Sequence, residues 1–119
     1  MADITPKINI DRIYIAGPIG KVNRLPNCIN AIKVADQVMA MGLCPWVPHL
    51  DYWWNEISPK SYEEWLAWDF KWIEVCDAIL RIPGESPGAD REIDYAKKCG
   101  KPIFYSLEEL KDAIHYAQE

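Results

Sequence analysis

The chain has no excess of positive charge: 13 Lys and Arg face 18 Asp and Glu, a formal net charge of −5. A phosphate backbone is held by surplus basic side chains, so a nucleic-acid polymer is not an expected partner, while a small anionic ligand in a local pocket stays open. The four cysteines, Cys28, Cys44, Cys76 and Cys99, form no C-x-x-C pair, and two histidines, His49 and His115, could join them. That spacing argues against a structural zinc site and for buried free thiols in a reducing compartment. No run approaches the roughly 18 consecutive apolar residues of a membrane span, and no basic segment leads into an apolar one at the start. A soluble, cytoplasmic protein without a membrane partner is expected. Repeats and low-complexity segments are also lacking, and 119 residues suit one domain, 1–119, around one core.

What the chain does have is tryptophan, six in all, more than packing alone demands. Some of that aromatic surface should meet a ligand or a second subunit. Arg12–Ala16 reads as a buried central strand, stopped by the turn Gly17-Pro18-Ile19-Gly20. A polar loop, Lys21–Pro26, leads to a helix over Asn27–Met41, capped by Asn27 and ended by Gly42. Leu43–Val47 is a second strand, followed by Pro48-His49 and a Trp-rich loop through Pro59. In the helix from Tyr62 to about Val75, steps of three and four place Trp65, Trp68, Trp72 and Cys76 on one face together with Asp69. Ala78–Ile82 is a third strand, Gly84–Gly88 a turn, Ala89–Cys99 a helix, Pro102–Tyr105 a fourth strand and Leu107–Gln118 a closing helix. Strands alternating with helices predict a three-layer, Rossmann-like or flavodoxin-like α/β domain with a parallel sheet of four to five strands. Ligands of such sheets bind beyond the carboxyl ends of the strands, here the turns at 17–21, 48–58 and 83–91.

The first turn fits neither G-x-G-x-x-G nor a P-loop, so a dinucleotide cofactor is not expected. In Ser86-Pro87-Gly88-Ala89-Asp90-Arg91-Glu92, small residues and a helix N-terminus make an anion seat. Glu92 falls in the first turn of that helix, where a carboxylate also serves as a simple cap. Asp69 either faces solvent, pairs with a cation such as Lys71 or, held between tryptophans, keeps a proton to near neutral pH. Asp77 reads as a cap. His49, after a strand, either touches a base or closes a turn.

Three blocks then resemble the nucleoside 2-deoxyribosyltransferase superfamily, which includes the 2′-deoxynucleoside 5′-phosphate N-hydrolases. They are Tyr14-Ile15-Ala16-Gly17-Pro18; Asp69 with Cys76-Asp77-Ala78-Ile79; and Ser86-x-Gly88-x-x-x-Glu92 with Ala96. They run in the family's order over nearly the whole chain. The resemblance implies an enzyme without metal or cofactor that cuts the N-glycosidic bond of a small nucleoside or nucleotide, and a homo-oligomer, dimer or higher. It implies Glu92 as the nucleophile at the anomeric carbon, Asp69 as the group assisting departure of the base, and Tyr14 as the residue placing the nucleophile. Gly17, Pro18, Ile19, Lys21, His49, Ser86, Gly88 and Arg91 are the expected substrate-binding positions. Ser86 matches a phosphate-binding serine of the hydrolases, whereas Pro18 and Gly20 stand where those enzymes carry Ser and Arg. Lys21 or Arg91 would have to supply the missing charge. Release of the base by hydrolysis of a 5′-monophosphate is the leading expectation, and base exchange on a nucleoside or a non-catalytic nucleotide-binding module are the alternatives.

Overall fold

The computed structural model describes residues 9–20 and 23–118, with side chains through 114; Lys21 and His115 therefore lie outside the described side chains. β1 (Arg12–Ala16) is the hub, because its apolar residues are fully buried and it pairs in parallel with both β2 (Cys44–Trp46) and β3 (Ala78–Arg81). β4 (Ile103–Phe104) adds to β3, so the sheet is four-stranded and parallel in the order β2-β1-β3-β4. Pro45, which cannot donate to a ladder, is tolerated because β2 lies at the sheet's edge.

Residue alternation along the strands sorts side chains between two helical layers. Ile13, Ile15, Ala78 and Leu80 point to α1 (Arg24–Ala40) and α5 (Leu107–Gln118), meeting Ala31, Ala35, Val38 and Leu110. Tyr14, Ala16 and Ile79 point the other way, to α3 (Tyr62–Val75) and α4 (Pro87–Lys98), against Ile73, Ala89, Ile93 and Ala96. The expected three-layer α/β architecture is thus the one observed. Asp77 caps a strand rather than a helix: its Oδ2 accepts the backbone N–H groups of Asp11 and Arg12 at 2.9 and 2.8 Å, tying down the entry to β1.

Several boundaries differ from the sequence expectation. α1 begins at Arg24, three residues before Asn27, whose side chain instead donates to the Ile19 carbonyl at 3.0 Å and so braces the preceding turn. The Trp-rich stretch after β2 is not a loop: one turn of 3₁₀ helix at Pro48–Leu50 runs into α2 (Asp51–Ile57). Leu50, Trp53, Trp54 and Ile57 recur at helical spacing, a signal the flanking prolines Pro48 and Pro59 masked, and their stripe is exposed rather than packed on the core. Cys28 and Cys76 are buried as expected, but Cys44 and Cys99 are exposed, one at the start of the edge strand and one just past the last turn of α4. No helix among the described residues is long and apolar enough to cross a membrane.

The chain leaves β1 through α1 to β2 on one side and returns from β2 through α2 and α3 to β3 on the other, so the strand order reverses between β1 and β3. The turns leaving these two strands are packed against each other. A Cβ on Gly17 would lie 2.9 Å from Ile82 Cβ, and one on Gly84, whose φ is +128°, would lie 2.6 Å from Pro18 Cγ. Glycine at both positions lets the two turns close over the sheet and open a cleft beside them.

Candidate active site

A cleft of about 760 Å³, in the usual range for a small-ligand site, opens at this reversal point. Its walls are the turn Gly17–Gly20, the start of α1, the inner face of α2, the α3 face bearing Trp65, Leu66 and Asp69, and the first turns of α4. Of the residues expected to bind substrate, Gly17, Pro18, Ile19, Ser86 and Gly88 line it, as do Asp69 and Glu92.

Glu92 is not where a cap would be. Ser86 is the N-cap of α4, its Oγ accepting the Ala89 N–H at 3.1 Å, and Pro87 opens the helix, which moves the helix start two residues upstream of the expected Ala89. Glu92 consequently sits in the second turn, 5% exposed, and accepts a hydrogen bond from the Tyr14 hydroxyl across the α4–β1 contact. A local capping role is removed. Burial is the largest influence on Glu92 and pushes its pKa up to about 7, opposed by the Tyr14 hydrogen bond. Tyr14 is fully buried, and burial together with the nearby Glu92 and Asp69 carboxylates holds its phenol well above the ordinary value, so it remains a donor.

Asp69 is 7% exposed, and its Oδ1 has no hydrogen-bond partner among the described residues. It does not pair with Lys71. Burial, then repulsion from Glu92 and Asp51, raises its pKa to about 8. The tryptophan stripe that suggested this environment packs largely elsewhere: Trp72 stacks on Trp46 at a centroid distance of 4.1 Å, Trp68 meets it tilted at 5.5 Å, and Trp65 is the member that reaches the cleft. The direction of the shift expected from the sequence holds, and its causes are burial first and then the Glu92 and Asp51 carboxylates.

Two expected binding residues lie outside the cleft. Arg91 is on the outer face of α4, paired with Glu63 at 3.0 Å and over the Tyr62 ring, because one residue of helix rotates it about 100° from Glu92. It supplies no charge to the Ser86 turn. His49 is 1% exposed beneath the first turn, its Nε2 3.2 Å from the Pro18 carbonyl oxygen; burial lowers its pKa to about 4, so it is the neutral ring that closes the turn. Conversely, Arg24, Asp51, Asn55, Lys60 and Tyr62 line the cleft without having been singled out. The signal for Asp51 and Asn55 was an i, i+4 pair of polar residues beyond the end of β2, invisible while the segment was read as loop. Arg81, at the end of β3, donates to the Ile82 and Gly84 carbonyls and to Asp90, fastening the turn that precedes α4.

Two results follow from these environments. Tyr14→Phe removes the hydrogen bond that favours ionised Glu92, so any Glu92-dependent activity should fall about tenfold near pH 6.5, with its acidic limb displaced to higher pH; a charge-assisted hydrogen bond of about 1.5–3 kcal/mol sets that scale. A pH–rate profile of the variant tests it, and an unmoved limb would separate Tyr14 from Glu92 ionisation. The second result concerns stability. Glu92 titrates at about 7 when folded against 4.5 as a free side chain, so the folded state holds a proton that the unfolded state has lost between these values. Folding stability therefore declines as pH rises through that window. Thermal melts of Glu92→Gln should match wild type near pH 4 and exceed it by several degrees at pH 8.

Residues 11–105 match the family described as Domain of unknown function (DUF4406), four-fifths of the chain. The chain belongs to that family. No curated protein matches the DUF4406 chain in sequence. Among solved structures, it is similar to a 2-deoxyribosyltransferase from Leishmania mexicana, with a TM-score of 0.59 and 23% identity over 78% of this chain and 61% of that one. It is also similar to a 2-deoxyribosyltransferase from the psychrotolerant bacterium Bacillus psychrosaccharolyticus, with a TM-score of 0.53 and 22% identity over 77% and 69% of the two chains. The DUF4406 chain therefore has the nucleoside 2-deoxyribosyltransferase fold, as the sequence blocks implied, and spans less than two thirds of the Leishmania enzyme's length.

Proposed function

We propose that this DUF4406 chain is an enzyme that cleaves the N-glycosidic bond of a nucleoside or nucleoside 5′-monophosphate through a glycosyl ester on Glu92. The observation that carries the reading is the buried Tyr14–Glu92 hydrogen bond at the floor of a cleft that Asp69 also lines. A carboxylate oxygen of Glu92 attacks C1′, the C1′–N bond breaks with its electron pair leaving on the base, and Asp69 gives that nitrogen system its proton. An acceptor then attacks C1′, its proton returns to Asp69, and the Glu92 carboxylate is released. Asp69 is suited to the acid role because it holds its proton to about pH 8, while Glu92 ionises at about 7.

With water as acceptor and a 5′-monophosphate as substrate, the enzyme is a nucleotide N-hydrolase, and the Ser86 hydroxyl and the Gly88 N–H at the start of α4 would face the phosphate. With a second base as acceptor and a plain nucleoside, it is a deoxyribosyltransferase. Among the described residues, Asp51, Glu85 and Glu92 line the cleft against Arg24 and Lys60, and Pro87 has no N–H to offer, which supports the uncharged substrate. The exposed stripe Leu50, Trp53, Trp54 and Ile57 on α2, beside the cleft mouth, is the face a homo-oligomer would bury. Incubation with deoxynucleosides and their 5′-monophosphates, with and without a second base, followed by chromatography of the products, tests the proposal. Release or exchange of a base supports it, and an inert enzyme that binds these compounds unchanged would replace it with a binding module.

A further inference from the structure

Asn55 is held in an orientation that has a chemical consequence. It lies in the last turns of α2, half-buried in the cleft wall, and its Oδ1 accepts two hydrogen bonds: from Trp65 Nε1–H at 2.7 Å and from the Lys60 backbone N–H at 2.9 Å. Both partners are donors, so the carboxamide has one sensible assignment, oxygen toward α3 and the α2–α3 connection. The Nδ2 amino group, with two N–H donors, is left for the cleft. One turn earlier on the same face, Asp51 supplies a carboxylate to the same wall. Trp65, bonded to Asn55, lines the same cleft as Asp69 and brings it an aromatic ring, and the cleft also takes in the small residues Gly17, Gly20, Ser86, Gly88 and Ala89.

We propose that Asn55 is a specificity-determining residue that donates a hydrogen bond to a ring carbonyl of the leaving nucleobase, selecting bases with a lactam edge, a carbonyl beside a ring N–H. This rests on the N-glycosidase reading above. Hypoxanthine, guanine, uracil and thymine carry that edge; adenine has no carbonyl. The carbonyl meets Asn55 Nδ2, and the neighbouring N–H meets the Asp51 carboxylate. As the C1′–N bond breaks, the departing base becomes electron-rich and its carbonyl oxygen a better acceptor, so the Asn55 hydrogen bond strengthens toward the transition state.

Asn55→Asp is the informative variant, because it keeps an oxygen for both Trp65 and Lys60 and replaces the amino donor by an acceptor. Base release from deoxyinosine and deoxyadenosine, as nucleoside or 5′-monophosphate, is compared in wild type and variant. The expected result is a wild-type preference for the inosine substrate, which falls about ten- to hundredfold in kcat/KM in the variant, with the adenosine substrate changed less than about threefold. Equal losses on both substrates, or a wild type that prefers adenine, overturn the assignment and leave the glycosidase reading standing. Quenching of tryptophan fluorescence by free hypoxanthine and adenine gives a readout that needs no turnover. If wild type releases no base yet binds hypoxanthine over adenine and Asn55→Asp abolishes that preference, Asn55 keeps its role and the glycosidase reading falls. Absence of both turnover and a hypoxanthine preference removes the Asn55 role as well.

Discussion

Glu92→Gln is expected to lower base release by about 10⁴-fold or more, the scale on which removal of an attacking group acts when nothing else can form the covalent bond. The substitution is nearly isosteric, and the glutamine oxygen can still accept from Tyr14, so the loss should not come from unfolding. Acid-quenched wild-type enzyme, digested and weighed, should carry a sugar adduct on the peptide containing Glu92; the variant should carry none. A variant that retains a tenth of the activity, or an adduct found on another residue, would take the nucleophile's role from Glu92.

Asp69→Asn should cost about 10²–10⁴-fold, the range for loss of a positioned proton donor. Its pH signature is more telling than its size. In wild type, kcat/KM should rise as Glu92 loses its proton around pH 7 and fall as Asp69 loses its own around pH 8, leaving a narrow optimum between them. Asparagine has no proton to lose, so the variant should keep the rising limb and lack the falling one. Substrates whose base departs readily without protonation should be affected least. If the alkaline limb persists unchanged in the variant, another group carries that proton.

The substrate's phosphate is the point on which the two levels of reading pull apart. Ser86 resembled a phosphate-binding serine, and Arg91 was a candidate to supply charge beside it. In the fold, Ser86 is also the cap of α4 and Arg91 faces Glu63, since adjacent helix residues point about 100° apart. Among the described residues, the cations that line the cleft are Arg24 and Lys60, from the start of α1 and the α2–α3 connection, while the other candidate, Lys21, lies outside them.

Much of the protein was readable from the order of its residues. The alternation of apolar β-branched runs with helical spacings specified a parallel α/β sheet, because each pattern can bury its apolar side in one way. Glu92, Asp69 and Tyr14 were picked out by the blocks that resemble the nucleoside 2-deoxyribosyltransferase superfamily, and the structure sets Tyr14 against Glu92 and lines one cleft with Glu92 and Asp69. Other features rested on local signals that the apolar pattern overrode, or were decided by contacts between distant segments. The start of α4 was set by Ser86 and Pro87 rather than by apolar periodicity, which carried Glu92 from a cap position into the core. The helical spacing of Leu50, Trp53, Trp54 and Ile57 did mark α2, but with the segment read as a loop Asp51 and Asn55 stayed hidden, and only the structure shows that this stripe faces outward. The raised pKa values of Asp69 and Glu92 depend on burial and on carboxylates brought together from α2, α3 and α4, quantities without any counterpart in a linear chain. Sequence determined which elements form and which acids are present; the tertiary structure alone decided which of them share one cleft, because burial and charge proximity exist only after β1 and β3 bring their turns together.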